Sequence, residues 1–260
     1  MADNGAGGPS GTRAFERRLL LLVDAKRYGA ADALTQHQFQ EAIQRLLEEA
    51  ADAAGLHWER WQTQQGGDSL FAALPKGASE PALVDPFMRT LDAGLRSFNH
   101  GRERAAWLRL RAAAHFGSAS PGPNGFVGPA PVELGRICDS VALRAALTAA
   151  PDACLAVGIS AGIFNDVVRE AYTTLRADEF REVLIEEKEH RGRAWIRVPG
   201  ADVWQLDLAG CAAAGPGRAA SAPADRQGPK PSPPAPREAT VIHHFHGPVH
   251  ADGAHFGISN

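Results

Sequence analysis

Two carboxylates stand at positions suited to chemistry. Asp24 closes the apolar run RRLLLLVDA (residues 17–25), and Asp68 follows the paired glycines of QQGGD. An acid at the end of a strand is costly to bury unless it caps something or binds a cation. Two such acids brought together on neighbouring strands make an oxygen-only site for Mg2+ or Mn2+, ions that keep water ligands and leave room for a phosphate. The plainer alternative is that both acids are solvated turn residues. A second group of chemistry-bearing side chains lies near the C-terminus, where residues 239–260 hold five of the ten histidines (His243, His244, His246, His250 and His255).

The elements that must position Asp24 and Asp68 follow from hydrophobic periodicity. Residues 17–25 read as a buried central strand. Residues 31–54 place Leu34, Phe39, Ile43, Leu46 and Leu47 at helical spacing, with Thr35 as a candidate cap and Gly55 as the terminator. Residues 57–64 and 69–75 read as a hairpin whose return carries Asp68. Residues 82–98 form a helix with Phe87, Leu91, Leu95 and Phe98 on one side, and residues 107–117 alternate as a strand. A helix over 130–149, a strand over 154–159 and a helix over 161–175 follow, and strands over 180–188 and 193–199 close the series. The order βαββαβαβαββ predicts an α+β sandwich, with helices packed on a mixed, largely antiparallel sheet.

Composition bounds what this body can be. The chain has 260 residues, a net charge of −3, 44% hydrophobic and 22% charged residues, which suits one good core with extensions. The near-neutral balance argues against a strongly basic nucleic-acid binder. No apolar run reaches the roughly 18 residues of a membrane span, and the start MADNGAGGPSGTR lacks the pattern of a signal peptide. Three widely spaced cysteines (Cys138, Cys154, Cys211) fit neither a disulfide framework nor a CxxC knuckle, as expected of a cytoplasmic protein. The domain plan is a Gly-rich, disordered residues 1–13, a periodic body at 14–208, a Pro/Ala/Gly-rich linker at 209–238 and a β-prone tail at 239–260.

The body resembles the class III nucleotidyl cyclases, the adenylate and guanylate cyclase catalytic domains, in a divergent actinobacterial branch. The residues that carry the resemblance are LLLVDAKRYG, then QQGGDSLFAALP, WLRLRAAAHFG, GPAPVELGRICDS and RAWIRV, in that order over about residues 15–199. It implies a ferredoxin-like, cyclase-type sheet, with Asp24 and Asp68 as ligands of two Mg2+ or Mn2+ ions. It also implies that a nucleoside triphosphate is turned into a cyclic mononucleotide and pyrophosphate. Arg136 aligns with the family's transition-state arginine, its alternative being a surface arginine paired with Asp139 or Glu133. Lys188 lies near a basic residue that contacts the triphosphate, although its acidic neighbours Glu186, Glu187 and Glu189 equally suit a solvated turn. Family sites form between two domains, so a single domain implies a homodimer.

The sequence departs from that pattern at two places. Val132 holds the position of the catalytic asparagine, with Glu133 beside it. Gln64, four residues before Asp68, replaces the lysine that reads a purine in many members. A slow cyclase, one with unusual base choice, and a nucleotide-binding or dimerisation module without catalysis are all compatible with these changes.

The tail supports three readings. HHxH at 243–246 is a fair metal-ligand cluster, but no cysteine or acid cluster accompanies it. A plain disordered tail is the second reading. The third is assembly: the segment FHGPVHADGAHFGISN resembles the C-terminal amyloid signalling motifs of bacterial defence systems, in which a like motif on an effector protein is recruited by β-stacking. The residues for that contact are Phe245, Gly247, Val249, Gly253 and Phe256. Body and tail together read as a signalling component of a bacterial conflict or stress pathway.

Overall fold

A computed structural model describes residues 16–123, 125–187 and 190–208. The predicted linker and tail, including Phe245, Gly247, Val249, Gly253 and Phe256, lie outside the described residues, as do residues 1–13 and Lys188.

The elements appear in nearly the predicted order. Strand β1 (Glu16–Ala25) is followed by helix α1 (Ala33–Ala53) and the hairpin β2 (Gln62–Gln65) and β3 (Ser69–Ala73). Next come a short α2 (Glu80–Ala82), α3 (Met88–Asn99), β4 (Leu110–Gly122) and β5 (Gly125–Val127). Helices α4 (Pro129–Asp139) and α5 (Val141–Ala149), strand β6 (Leu155–Ser160), a short α6 (Ala161–Ile163) and strands β7 (Arg181–Glu187) and β8 (His190–Arg197) complete the series. The sheet runs β2-β3-β1-β4-β6-β8-β7, with β5 folded back on β4. Its β4–β6 pair is parallel and the remaining pairs are antiparallel, so the expected mixed, largely antiparallel sandwich is what forms.

Strand alternation divides β1 between the two faces. Leu19, Leu21, Val23 and Ala25 join the core under α1, α3 and α6, while Leu20 joins a second core under α4 and α5, with Leu22 half-buried at its margin. Asp24 shares the parity of Leu20 and Leu22 and so belongs to the second face. Helix α4 packs over β1 and β4, and α5 over β4, β6 and β7. On this face Phe71 of β3 is left half-buried against Phe126, their rings stacked at 5.3 Å.

Several boundaries differ from expectation for local reasons. Asp32, not Thr35, caps α1: its carboxylate accepts from the Thr35 N–H at 2.7 Å, as a short acid does best at this position. Leu34, expected on the apolar side, is 69% exposed in that first turn. Gly55 does end α1, at φ +67°. Residues 58–60 form a 3-10 turn rather than strand, because Trp58 and Trp61 meet at a three-residue spacing, and the Trp61 indole donates to Leu56 O. The expected helix 82–98 opens with a π-turn at Leu83–Phe87, where Pro86 cannot donate to the helical ladder. The expected helix 130–149 is two helices, since Ser140 leaves helical geometry and its hydroxyl accepts from the Leu143 N–H to start α5. The expected helix 161–175 is α6 and a π-turn ending at Arg169, after which Ala171 takes φ +57°.

Candidate functional site

Asp24 and Asp68 come together. Register places Asp24 between Ser69 of β3 and Arg111 of β4. The hairpin tip is tied to the same point, because the Ala25 N–H donates to Asp68 O at 2.8 Å and the Gly66 N–H donates to Ser69 O at 2.7 Å. Helix α1 braces both loops through one side chain. Gln40 Nε2 donates to the Tyr28 hydroxyl at 2.7 Å and to Gly67 O at 3.0 Å. Between the loops lies a cavity of about 360 Å3, lined by Asp24 and Asp68, the Lys26–Gly29 turn, Arg111, and Arg144 and Thr148 of α5.

The cavity is crowded with cations that sequence reasoning did not assign. Arg111 is 11% exposed, and its Nη2 forms an ion pair with Asp24 Oδ2. Its Nη1 lies 3.9 Å from Asp139, which pairs with Arg144 at 2.8 Å. Lys26 Nζ donates to Thr148 Oγ1 at 2.8 Å. Arg109 fixes α5 from behind, donating to the carbonyls of Leu147, Ala150 and Ala153 at 2.6–2.7 Å, where a helix end leaves acceptors unpaired. A signal for Arg111 exists in WLRLRAAAHFG: strand alternation sets it opposite the parity of Leu110 and onto the face of Ala113. Only the pairing, 87 residues away in sequence, makes Asp24 its partner.

Burial sets the electrostatics. It pushes the Asp24 carboxyl above its usual range, the Arg111 hydrogen bond and charge pull the other way without prevailing, and Asp68 and Asp139 add to the rise. Lys26 is held below the usual lysine range by burial first, then by Arg109, Arg27 and Arg111.

The other candidates lie elsewhere. Gln64 borders a separate cleft of about 220 Å3 with Phe71, Phe126 and Pro131. Gly125, at φ +113°, makes room for it, since a Cβ there would overlap the Gln64 amide. Arg136 is half-buried on α4 and does not line the Asp24–Asp68 cavity, and Val132, one turn earlier, is 51% exposed. Of the alternative partners of Arg136, Asp139 pairs instead with Arg144 at 2.8 Å.

Comparison with solved structures bears on this arrangement. An adenylate/guanylate cyclase/hydrolase from Silicibacter pomeroyi superposes with a TM-score of 0.50 at 16% identity, over 72% of this chain and 99% of that one. The chain has the nucleotidyl cyclase fold. Also similar are the guanylyl cyclase Cya2 (TM-score 0.48, 14% identity, 75% of this chain and 99% of that one) and the guanylate cyclase domain from Catenaria anguillulae in complex with GTP (TM-score 0.45, 9% identity, 71% and 96%). No protein-family model and no curated protein matches the sequence. Within this cyclase fold the donor set suits a hard divalent cation in part. Asp24 and Asp68 offer carboxylate oxygen, but no group of three or more ligating side chains occurs among the described residues, so water or phosphate would have to complete the shell. Among the described residues, no helix is long and apolar enough to cross a membrane.

Proposed function

We propose that the cyclase-fold domain binds a nucleoside triphosphate, with its phosphates in the Asp24–Asp68 cavity, and converts it to a cyclic mononucleotide and pyrophosphate. The convergence of both carboxylates on one cavity with a cationic rim carries this reading. Asp24 and Asp68 would hold Mg2+ or Mn2+, which when bound lowers the pKa of the ribose 3′-OH and neutralises charge on the leaving pyrophosphate. The 3′ oxygen bonds to the α-phosphorus, the α–β bridging bond breaks, and the 3′ proton passes to solvent.

The separation of the Gln64 cleft from the carboxylate cavity supports a homodimer. In that assembly Gln64 and Arg136 of one copy would complete the cavity of the other. Gln64 presents an amide beside the stacked Phe71–Phe126 pair, a surface suited to a base. Arg136 would stabilise charge on the phosphoryl oxygens, and Lys188 would meet the triphosphate. The tail at 239–260 would pass the signal to an effector bearing a like motif, through Phe245, Gly247, Val249, Gly253 and Phe256, in a bacterial conflict or stress system.

A second reading is favoured by Val132 and by the Asp24–Arg111 ion pair. An apolar side chain replaces a transition-state donor, and one carboxylate already has a cation. The domain would then bind nucleotide, or only dimerise, and signal as an adaptor. One assay separates the two. The protein is incubated with ATP, GTP, CTP and UTP plus Mn2+, and cyclic products are sought by mass spectrometry, with Asp24→Ala and Asp68→Ala alongside. A product lost in both variants supports catalysis and names the base. No product from any nucleotide, at an enzyme concentration that detects a few turnovers, leaves the adaptor reading.

A further inference from the structure

We propose that the Asp24–Asp68 cavity takes up a polyphosphate chain without a divalent cation, with Arg111 as the resident cation of the site. The inference rests on the reading that this cavity is a phosphate site, and it narrows how the phosphates are first held. A site awaiting a metal ion should present free carboxylates and few positive charges. Here the lining residues include four cations, Lys26, Arg27, Arg111 and Arg144, against the two carboxylates Asp24 and Asp68, and Asp139 at the edge offsets Arg144, which leaves one positive charge in excess. A divalent ion entering alone would add to that excess, whereas a polyphosphate chain is of opposite sign and is drawn to it.

Arg111 is central to the imbalance. Its Nε and Nη1 are buried without a hydrogen-bond partner, so Asp24 is the carboxylate that compensates it within hydrogen-bond reach. Asp139, at 3.9 Å, is too far to bond and is already held by Arg144. The other cations are placed rather than incidental. Lys26 is fixed on Thr148 Oγ1, and Thr148 Oγ1 in turn donates to Arg144 O at 2.8 Å. The Arg144 side chain is 57% exposed at the cavity edge, free to leave Asp139 for a phosphate, which it can meet with two parallel donors. On this account Asp24 is held by Arg111 until the phosphates are bound, and would hold Mg2+ or Mn2+ only once Arg111 has turned to them.

Isothermal titration calorimetry of the full chain tests this, with sodium tripolyphosphate and non-hydrolysable ATP and GTP analogues, each in EDTA and then in Mg2+. The expected result is tripolyphosphate binding in EDTA, with a Kd within about threefold of that in Mg2+, weakening as salt is raised. Arg144→Gln, an exposed change that spares the fold, should weaken it by about tenfold. Arg111→Lys should retain more of the binding than Arg111→Gln. Analogues binding about tenfold tighter than tripolyphosphate would name a nucleotide as the source of the phosphates. Equal binding would name free polyphosphate, and either supports the proposal. Binding of tripolyphosphate only when Mg2+ is present overturns it, as does an unchanged Kd in Arg144→Gln. If the analogues bind in Mg2+ while tripolyphosphate fails in EDTA, this inference falls and the nucleotide reading stands. If nothing binds in either buffer, both fall.

Discussion

The two faces of the sheet are made from the same strands and end differently. Under α1 and α3, β1 presents Leu19, Leu21, Val23 and Ala25, all buried, with a charge only at the outer end of the row, at the exposed Arg17. On the other face the same strand presents Arg18, Leu20, Leu22 and Asp24, apolar in the middle and charged at both ends. The difference tracks the helices. The first face is closed by long, well-packed segments, whereas α4 and α5 sit over β1 and the strands beyond it, and Leu22 and Phe71 stay half-buried. A site needs a place where solvent, ligand or a second copy can reach the sheet, and the second face provides it beside Asp24 and beside Phe71.

Neighbouring residues give the sharpest way to break that comparison. Leu21→Ala should cost about 3–5 kcal/mol, the range for a filled core position, and Leu22→Ala, one residue on, about 1–2 kcal/mol. Chemical denaturation of the two variants measures both; equal losses would mean that the faces are equally closed. A smaller effect is expected where the open face meets chemistry. Val132→Asn restores an amide at an exposed helix position and should raise cyclic-product formation by about 10–100-fold, with stability within about 0.5 kcal/mol of the parent. Initial rates with Mn2+ and the favoured nucleotide decide it, and an unchanged rate would indicate that Val132 does not face the reacting phosphate.

The smallest effect concerns the cost of the site itself. Burial holds the folded Asp24 carboxyl above its unfolded value of 3.8, so the unfolded chain ionises first as pH rises. Asp24 therefore favours folding below that value, and its contribution is lost as pH rises through the folded pKa. Asp24→Asn, which does not titrate, should match the parent in acid and equal or exceed its stability by about 1 kcal/mol at pH 7, while losing product formation. Denaturation curves across pH 3–7 follow the difference, and a variant that grows less stable than the parent with rising pH would show that Arg111 prevails over burial.

Much of this arrangement was legible in the sequence because its signals are local. An apolar run ending in an acid, a Gly-Gly-Asp return and alternation along β4 each occupy a dozen residues or fewer, and they place Asp24 and Asp68 at adjoining strand ends. The break at Ser140 was hidden because an uninterrupted apolar periodicity runs across it; the cap is a single hydroxyl. At residues 58–60 the signal was present, since tryptophans three apart match a 3-10 turn and not the even spacing of a strand. The cations of the cavity were the least legible. Lys26, Arg111 and Arg144 come from three separate segments; alternation sets Arg111 on the second face, but only long-range pairing gathers the three.

Placing β1 between β3 and β4 also bears on how the chain is born. The partner of Asp24 lies 87 residues downstream, and at translation rates of about 5–20 residues per second that gap lasts on the order of ten seconds. Through that interval the β1–β3 pair has one edge finished and one raw, with Leu19 to Val23 presented as an unpaired apolar ribbon. A holdase that grips extended apolar segments has its target there. A nascent chain halted before β4 carries an adhesive strand and an acid without its arginine, so messenger damage in that stretch would yield fragments prone to cluster rather than a weakened domain.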